Sequence, residues 1–141
     1  MKIIAFTVLF YSILNAQGLY RSSDMVIDST NKLMWEDSVQ NTKIRLSQAD
    51  ALEYCQKSTF GGYSNWRLPT VKEYQLIIDK TRRDEIMINP TFKYILQTGY
   101  WTSDKTWRTL NLYGYYIYFK SGTAYYENKT YKKFVRCVRD M

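Results

Sequence analysis

Two cysteines, Cys55 and Cys137, constrain this chain more than any other feature. They are its only cysteines and stand 82 residues apart. Thiols stay reduced in the cytosol and pair in oxidising compartments, so their chemistry depends on where the chain works. Lys2 is followed by an almost unbroken apolar run, Ile3 to Leu14, and then by Asn15-Ala16-Gln17. A short basic start, an apolar run and a small residue at the cut mark a secretory signal peptide. Residues 1–16 are therefore expected to be removed, leaving 17–141 as one exported domain in the periplasm, on the cell surface or in the medium. The run is shorter than the about 20 apolar residues of a membrane span, so no transmembrane segment is expected. In an exported chain an even cysteine pair reads as a disulfide. Closing so long a loop stabilises the fold by about 4 kcal/mol in the chain-entropy picture. Redox-active or metal-binding thiols are the alternative, but no CxxC spacing occurs and the chain has no histidine. Zinc would have only carboxylates beside the two thiolates. No metal and no cofactor are expected.

The second constraint is the block Gly61-Gly62-Tyr63-Ser64-Asn65-Trp66-Arg67-Leu68-Pro69-Thr70. Glycines open backbone conformations that other residues reach at a cost. Trp66 offers a large packing surface, and the five fixed donors of Arg67 suit buried carbonyls or a carboxylate. Thr70 with Glu73 three residues on is a capping box that starts a helix near Val71. The block is thus a structural junction, with Trp66, Arg67, Leu68 and Pro69 as structural residues.

Around that junction the chain reads as one domain without linker or repeat. Met25 to Trp35 is a hairpin turning through Ser29-Thr30-Asn31-Lys32. Residues 36–45 are polar and read as loop. Ser47 caps a helix through about Lys57 that turns Ala51, Leu52 and Cys55 to one face. The second helix runs from Val71 to about Lys80, with Val71, Tyr74 and Ile78 as its buried stripe. Residues 81–99 are irregular, a length that points to function or mobility. From Tyr100 on the period is two: strands are expected at Tyr100–Ser103, 108–112, Tyr113–Phe119, Thr123–Glu127 and Tyr131–Arg139. Two helices followed by an antiparallel meander make an α+β fold. The cysteine pair would fasten the first helix to the last strand.

Several blocks in order carry a family resemblance. They are Asp28 to Trp35, Ala51 to Cys55, Gly61 to Pro69, Tyr100 to Ser103, and Val135-Arg136-Cys137-Val138-Arg139. Over residues 24–140 the chain resembles the bacterial family typified by the C-terminal domain of the collagen-like adhesin Lcl. The resemblance implies a C-type-lectin-like fold, two helices packed on an antiparallel sheet with a Cys55–Cys137 disulfide. It also implies an exported module, binding to sulfated glycans, and a homotrimer. The chain carries no collagen-like repeat, so a trimer would form without that stalk. Calcium-lectin signatures are missing too. Trp101-Thr102-Ser103-Asp104 is not a Trp-Asn-Asp triplet, and Ile88 precedes Asn89-Pro90 where those lectins carry a polar ligand. Calcium takes about six or more oxygen ligands, and no local cluster supplies them.

Three functions compete. The formal net charge of +7, or +6 once Lys2 leaves with the signal peptide, suits anionic partners of an exported protein. The C-terminal third mixes Lys120, Lys129, Lys132 and Lys133 with Tyr125 and Tyr126, and Arg82-Arg83 make a second basic patch. Ammonium and guanidinium groups pair with sulfate or carboxylate, and tyrosine faces stack on sugars. These eight residues are the candidate ligand site for an anionic polysaccharide or a cell-surface glycan or protein, and Arg136 is expected to be partly buried. The same surface would serve a structural or assembly subunit of the cell envelope. A carboxylate-based hydrolase would need a pair at suitable separation, from Asp84, Glu85 or Asp104, and neighbours such as Asp84-Glu85 point apart. Without histidine, and with both cysteines bridged, a non-enzymatic module is expected. Stacking tyrosines suit single-stranded nucleic acid, against which the export signal argues.

Overall fold

The computed structural model describes residues 18–107 and 110–141. The expected signal peptide lies outside the described residues, as do Arg108 and Thr109. Among the described residues nine strands form two sheets, with two α-helices and two short 3-10 turns between them. The first sheet holds β1 (Leu19–Ser22), β2 (Met25–Asp28), β3 (Leu33–Glu36) and β9 (Val138–Asp140), in that order. The second holds β4 (Arg45–Leu46), β8 (Lys133–Phe134), β5 (Gly99–Lys105), β6 (Tyr113–Tyr118) and β7 (Thr123–Asn128). All pairings are antiparallel except the single Tyr100–Phe134 contact of β5 with β8. The α+β expectation holds, with two sheets in place of one.

The hairpin expected at 25–35 is β2 and β3, and every residue of both is buried. Alternation explains this, since both faces of the first sheet are covered. Val26, Leu33 and Trp35 enter one core with Tyr74, Phe92, Tyr100, Ile117 and Phe119. Met25, Ile27 and Met34 enter another with Ala51, Cys55, Trp66, Leu68 and Trp101. Helix α1 (Gln48–Lys57) starts at Ser47, whose hydroxyl accepts from the Asp50 N–H. It carries Cys55 to Cys137 just before β9, with Cα atoms 5.5 Å apart.

Three expectations need correction. Helix α2 is only Val71–Gln75. Ile78 leaves the helix to bridge Ile88, and Ile77 takes the buried position expected for Ile78. The strand expected at Tyr131–Arg139 is split between the two sheets, because the buried Arg136 side chain breaks the alternation between β8 and β9. Leu110 and Asn111 form a turn with φ of 53° and 58°, so the described part of the strand expected over 108–112 is not strand. The irregular residues 81–98 nevertheless supply Ile88, Phe92 and Ile95 to the first core.

The Gly61–Thr70 block is the corner between the helices. Gly61 has φ of 65°, and a Cβ there would lie 2.9 Å from the Met25 sulfur. Trp66 and Leu68 are buried, and the Trp66 indole N–H donates to the Phe60 and Tyr63 carbonyls. Arg67 exchanges both backbone hydrogen bonds with Val138 at 2.8 Å, which extends the first sheet past β9. Its guanidinium grips Glu73 at 2.6 and 2.7 Å and reaches Asp140 at 3.1 Å. Buried Pro69 accepts from the Ser103 N–H, tying the corner to β5.

Candidate functional site

The basic residues divide by what they touch. Arg136 is wholly buried, deeper than its sequence suggests. It pairs with Asp37 at 2.9 Å, donates to the Glu36 and Tyr94 carbonyls, and lies over Phe92 and Tyr100. Asp37 also accepts from Arg21 and from the Lys93 and Tyr94 N–H groups. Burial works against its charge, yet Arg136 and these donors hold its pKa below the usual aspartate range. The neighbouring Glu36 goes the other way. Burial raises its pKa and outweighs the help of Asn41, Arg136 and the Cys137 N–H. Glu36, Asp37, Ser38 and Asn41 are thus a buried polar shelf around Arg136, while Val39 and Gln40 between them face solvent. A polar run this short offers no periodicity, so its burial was visible only through the arginine beside Cys137.

Lys133, Lys105 and Lys129 lie about the β6–β7 hairpin, whose two faces differ. On one face Tyr116 lies near Tyr125, Tyr125 near Tyr118, and Trp101 near Tyr116. Lys133 covers this cluster, its ammonium 3.8 Å from the Tyr116 ring centre and paired with Glu127. Gly99 makes room, since a Cβ there would come within 2.9 Å of the Tyr116 ring. On the opposite face Tyr126 stands 5.9 Å from Tyr113 and 6.0 Å from Tyr115. Tyr115 and Ala124 then floor a groove of about 630 Å³, walled by Thr70, Val71, Lys72 and Gln75 on one side and Asp104 and Lys105 on the other. The Asp104 carboxylate accepts from the Val71 N–H at 2.7 Å, which fixes α2 against β5. Lys129 stands at the end of this strip. Partial desolvation and the Lys105 charge hold its ammonium below the ordinary lysine range. A tyrosine strip with Lys129 at one end and a groove lined by Lys72 and Lys105 at the other can stack a sugar ring and pair its anionic substituents.

The candidate residues do not form one patch. Lys120 lies in the turn joining β6 to β7, the end where the Met87 N–H meets the Phe119 carbonyl. Exposed Arg83 belongs to the segment leading to that end. Arg82 is engaged there by Glu85 and the Ile88 carbonyl. Lys129 and Lys132 flank the opposite end of β7, about 20 Å away at the usual strand rise. The Lys132 carbonyl accepts from Arg45. Exposed Tyr125 and Tyr126 are on opposite faces of the hairpin. Lys72, Gln75, Lys105 and Tyr115 line the groove, and Tyr113 the strip beside it, without having been singled out as ligand residues in the sequence. The period-two alternation shared by Tyr113, Tyr115 and Ile117 was the signal for that face. Of the hydrolase candidates, Glu85 pairs with Arg82, Asp84 is exposed, and Asp104 caps α2. Among the described residues no group of three or more His, Cys, Asp or Glu side chains could hold a metal ion. No helix among them is long and apolar enough to cross a membrane.

A family model described as the Lcl C-terminal domain matches residues 24–139. The match takes in the corner block, both cysteines and the whole β6–β7 hairpin. No curated protein matches the chain.

Proposed function

The chain belongs to the Lcl C-terminal domain family, and we propose that it is an exported, non-enzymatic module that binds anionic glycans. One observation carries this reading: the Tyr113–Tyr126–Tyr115 strip, with Lys129 beside its Tyr113 end, entering a groove lined by Lys72 and Lys105. Stacking is tolerant of sugar identity, while ammonium groups select for sulfate or carboxylate. The disulfide supports an oxidising compartment. The C-type-lectin-like fold belongs to the same reading, supported by the helix-to-last-strand disulfide and the two-sheet architecture. A homotrimer completes it, and sedimentation of the exported protein tests that part separately.

The binding test compares retention on heparin with retention on a charge-matched cation exchanger. Retention on heparin should persist to higher salt, and Lys72→Gln, Lys105→Gln and Lys129→Gln together should abolish the excess without moving the melting temperature. Equal salt dependence on both resins would remove the glycan reading.

A further inference from the structure

An edge strand offers unpaired N–H and C=O groups to any extended chain that reaches it. Of the four sheet edges among the described residues, three are covered or short. Arg67 pairs beyond β9, β4 is two residues long, and β1 is four residues long and carries Arg21. The fourth edge, β7, is open. It runs for six residues in unbroken register with β6, and none of its residues is buried. It contains no proline, lysine or arginine, and its one charged residue, Glu127, pairs with Lys133. Natural proteins blunt an edge of this length with a lysine, a proline or a bulge, so an edge left flat suits another strand.

The pairing fixes which backbone groups point outward. The Lys129 N–H donates to the Leu112 carbonyl at 3.0 Å, and alternate residues of an antiparallel pair bond to the same neighbour. Thr123, Tyr125 and Glu127 therefore turn their backbone groups to β6. Ala124 and Tyr126 turn theirs away from the sheet, at the spacing a further backbone would match. Across β6 the Tyr113 carbonyl accepts from the Thr106 N–H, which agrees with that phase. Exposed Tyr125 and Tyr126 stand on opposite faces of the hairpin, so they bracket the open edge. Lys120 lies just beyond one end of β7 and Lys129 just beyond the other. A second copy is a poor occupant. Antiparallel pairing of two β7 strands would bring Lys120 of one towards Lys129 of the other, and parallel pairing would bring each lysine towards its own copy. A segment with carboxylates at its ends meets the same two cations favourably.

We propose that β7 takes up an extended segment of another protein as an added strand, through backbone hydrogen bonds to Ala124 and Tyr126, and that this segment carries carboxylates on either side of its strand that pair with Lys120 and Lys129. Strand addition draws affinity from main-chain bonds and selectivity from alternate side chains. Tyr125 on one face and Tyr126 on the other favour β-branched or aromatic neighbours in the incoming strand.

The probe is a labelled synthetic peptide with a Thr-Val-Thr-Val-Thr core and two aspartates at each end, and its binding to the purified protein is read by fluorescence anisotropy. N-methylation of alternate core residues leaves the peptide one edge able to pair and should keep binding. N-methylation of every core residue leaves none and should weaken binding at least about tenfold. Lysines in place of the aspartates should weaken it about tenfold as well. Amide exchange followed by NMR should show the Ala124 and Tyr126 N–H groups open in the free protein and slowed by the peptide, with those of Tyr125 and Glu127 protected throughout. Ala124→Pro should weaken peptide binding about tenfold and keep the melting temperature, because proline is tolerated where an edge N–H faces solvent. The methylated peptides test the same bonds without altering the protein. The proposal is overturned if the aspartate-ended peptide does not bind, or if the fully methylated or the lysine-ended form binds as well as it does. Protection of Ala124 and Tyr126 in the free protein that rises with concentration would also overturn it, by giving β7 to a second copy. Heparin has no amide ladder, so failure here leaves the glycan reading standing.

Discussion

Arg136 and Lys129 lie on either side of β8 in sequence and do opposite things with the same charge. Arg136 is fully buried against Asp37, two backbone carbonyls and two aromatic rings. Lys129 stands at the surface beside another lysine, with its charge resisted. The first cation is satisfied by the fold. The second is left in an environment that an anion would improve. A basic sequence therefore does not show how much charge is available for binding; the partners of each cation decide it.

The largest break in that contrast comes from Arg136→Ala. Removing one member of a buried ion pair leaves the other uncompensated, at a cost of about 3–5 kcal/mol. Arg21 offsets part of this, because it also reaches Asp37. The expected outcome is a large fall in the urea midpoint, and a midpoint equal to the parent would refute the buried-cation account. Trp66→Ala should cost about as much, since it empties a large volume from the second core. Arg67→Ala should cost only about 1 kcal/mol, because its side chain is 36 % exposed and solvent screens its pair with Glu73.

A smaller effect separates the two carboxylates of the shelf. Glu36 holds its proton more tightly folded than unfolded, so its contribution is present below the ordinary glutamate range and is lost as pH rises through the folded pKa. Asp37 has the opposite sign. Its contribution is present above the ordinary aspartate range and is lost as pH falls through the folded pKa. Urea midpoints measured from about pH 3 to about pH 8 should show Glu36→Gln removing the loss on the rising side. Asp37→Asn should flatten the acid side and lower stability at neutral pH. If both variants change the profile in the same direction, the opposed shifts are wrong.

Sequence periodicity made the hairpin, α1 and the β6–β7 strands legible, because each has one apolar face or repeats its burial along its length. The disulfide was legible for a different reason: two cysteines behind an expected export signal leave one pairing. Arg67 was readable as a donor seeking acceptors, and Glu73 was present in the capping box as its partner. Residues 36–42 were not readable. Glu36, Asp37, Ser38 and Asn41 look solvated until Arg136 arrives from the other end of the chain. The short α2 escaped notice because the Ile78–Ile88 bridge, a tertiary contact, overrides a helical pattern. The candidate site was half legible. The composition of the hairpin was plain, but which tyrosine shared a face with which lysine depended on sheet order, and sheet order placed Lys133 on the wrong side for the groove.

That placement gives the finest prediction, within one turn and one residue type. Lys133 is nearly covered, sits over the Tyr116 ring and pairs with Glu127, so its charge contributes to stability. A cation–π contact of this kind is worth about 0.5–1 kcal/mol at a partly exposed site. Lys133→Gln should therefore lower the melting temperature slightly and leave heparin retention unchanged. Lys129→Gln should do the reverse, weakening retention with no loss of stability, because it removes a charge that Lys105 opposes. Melting curves and salt elution of the two single variants are enough to decide. If Lys133→Gln weakens retention and Lys129→Gln does not, the binding surface lies on the Tyr116–Tyr125 face and the groove assignment fails.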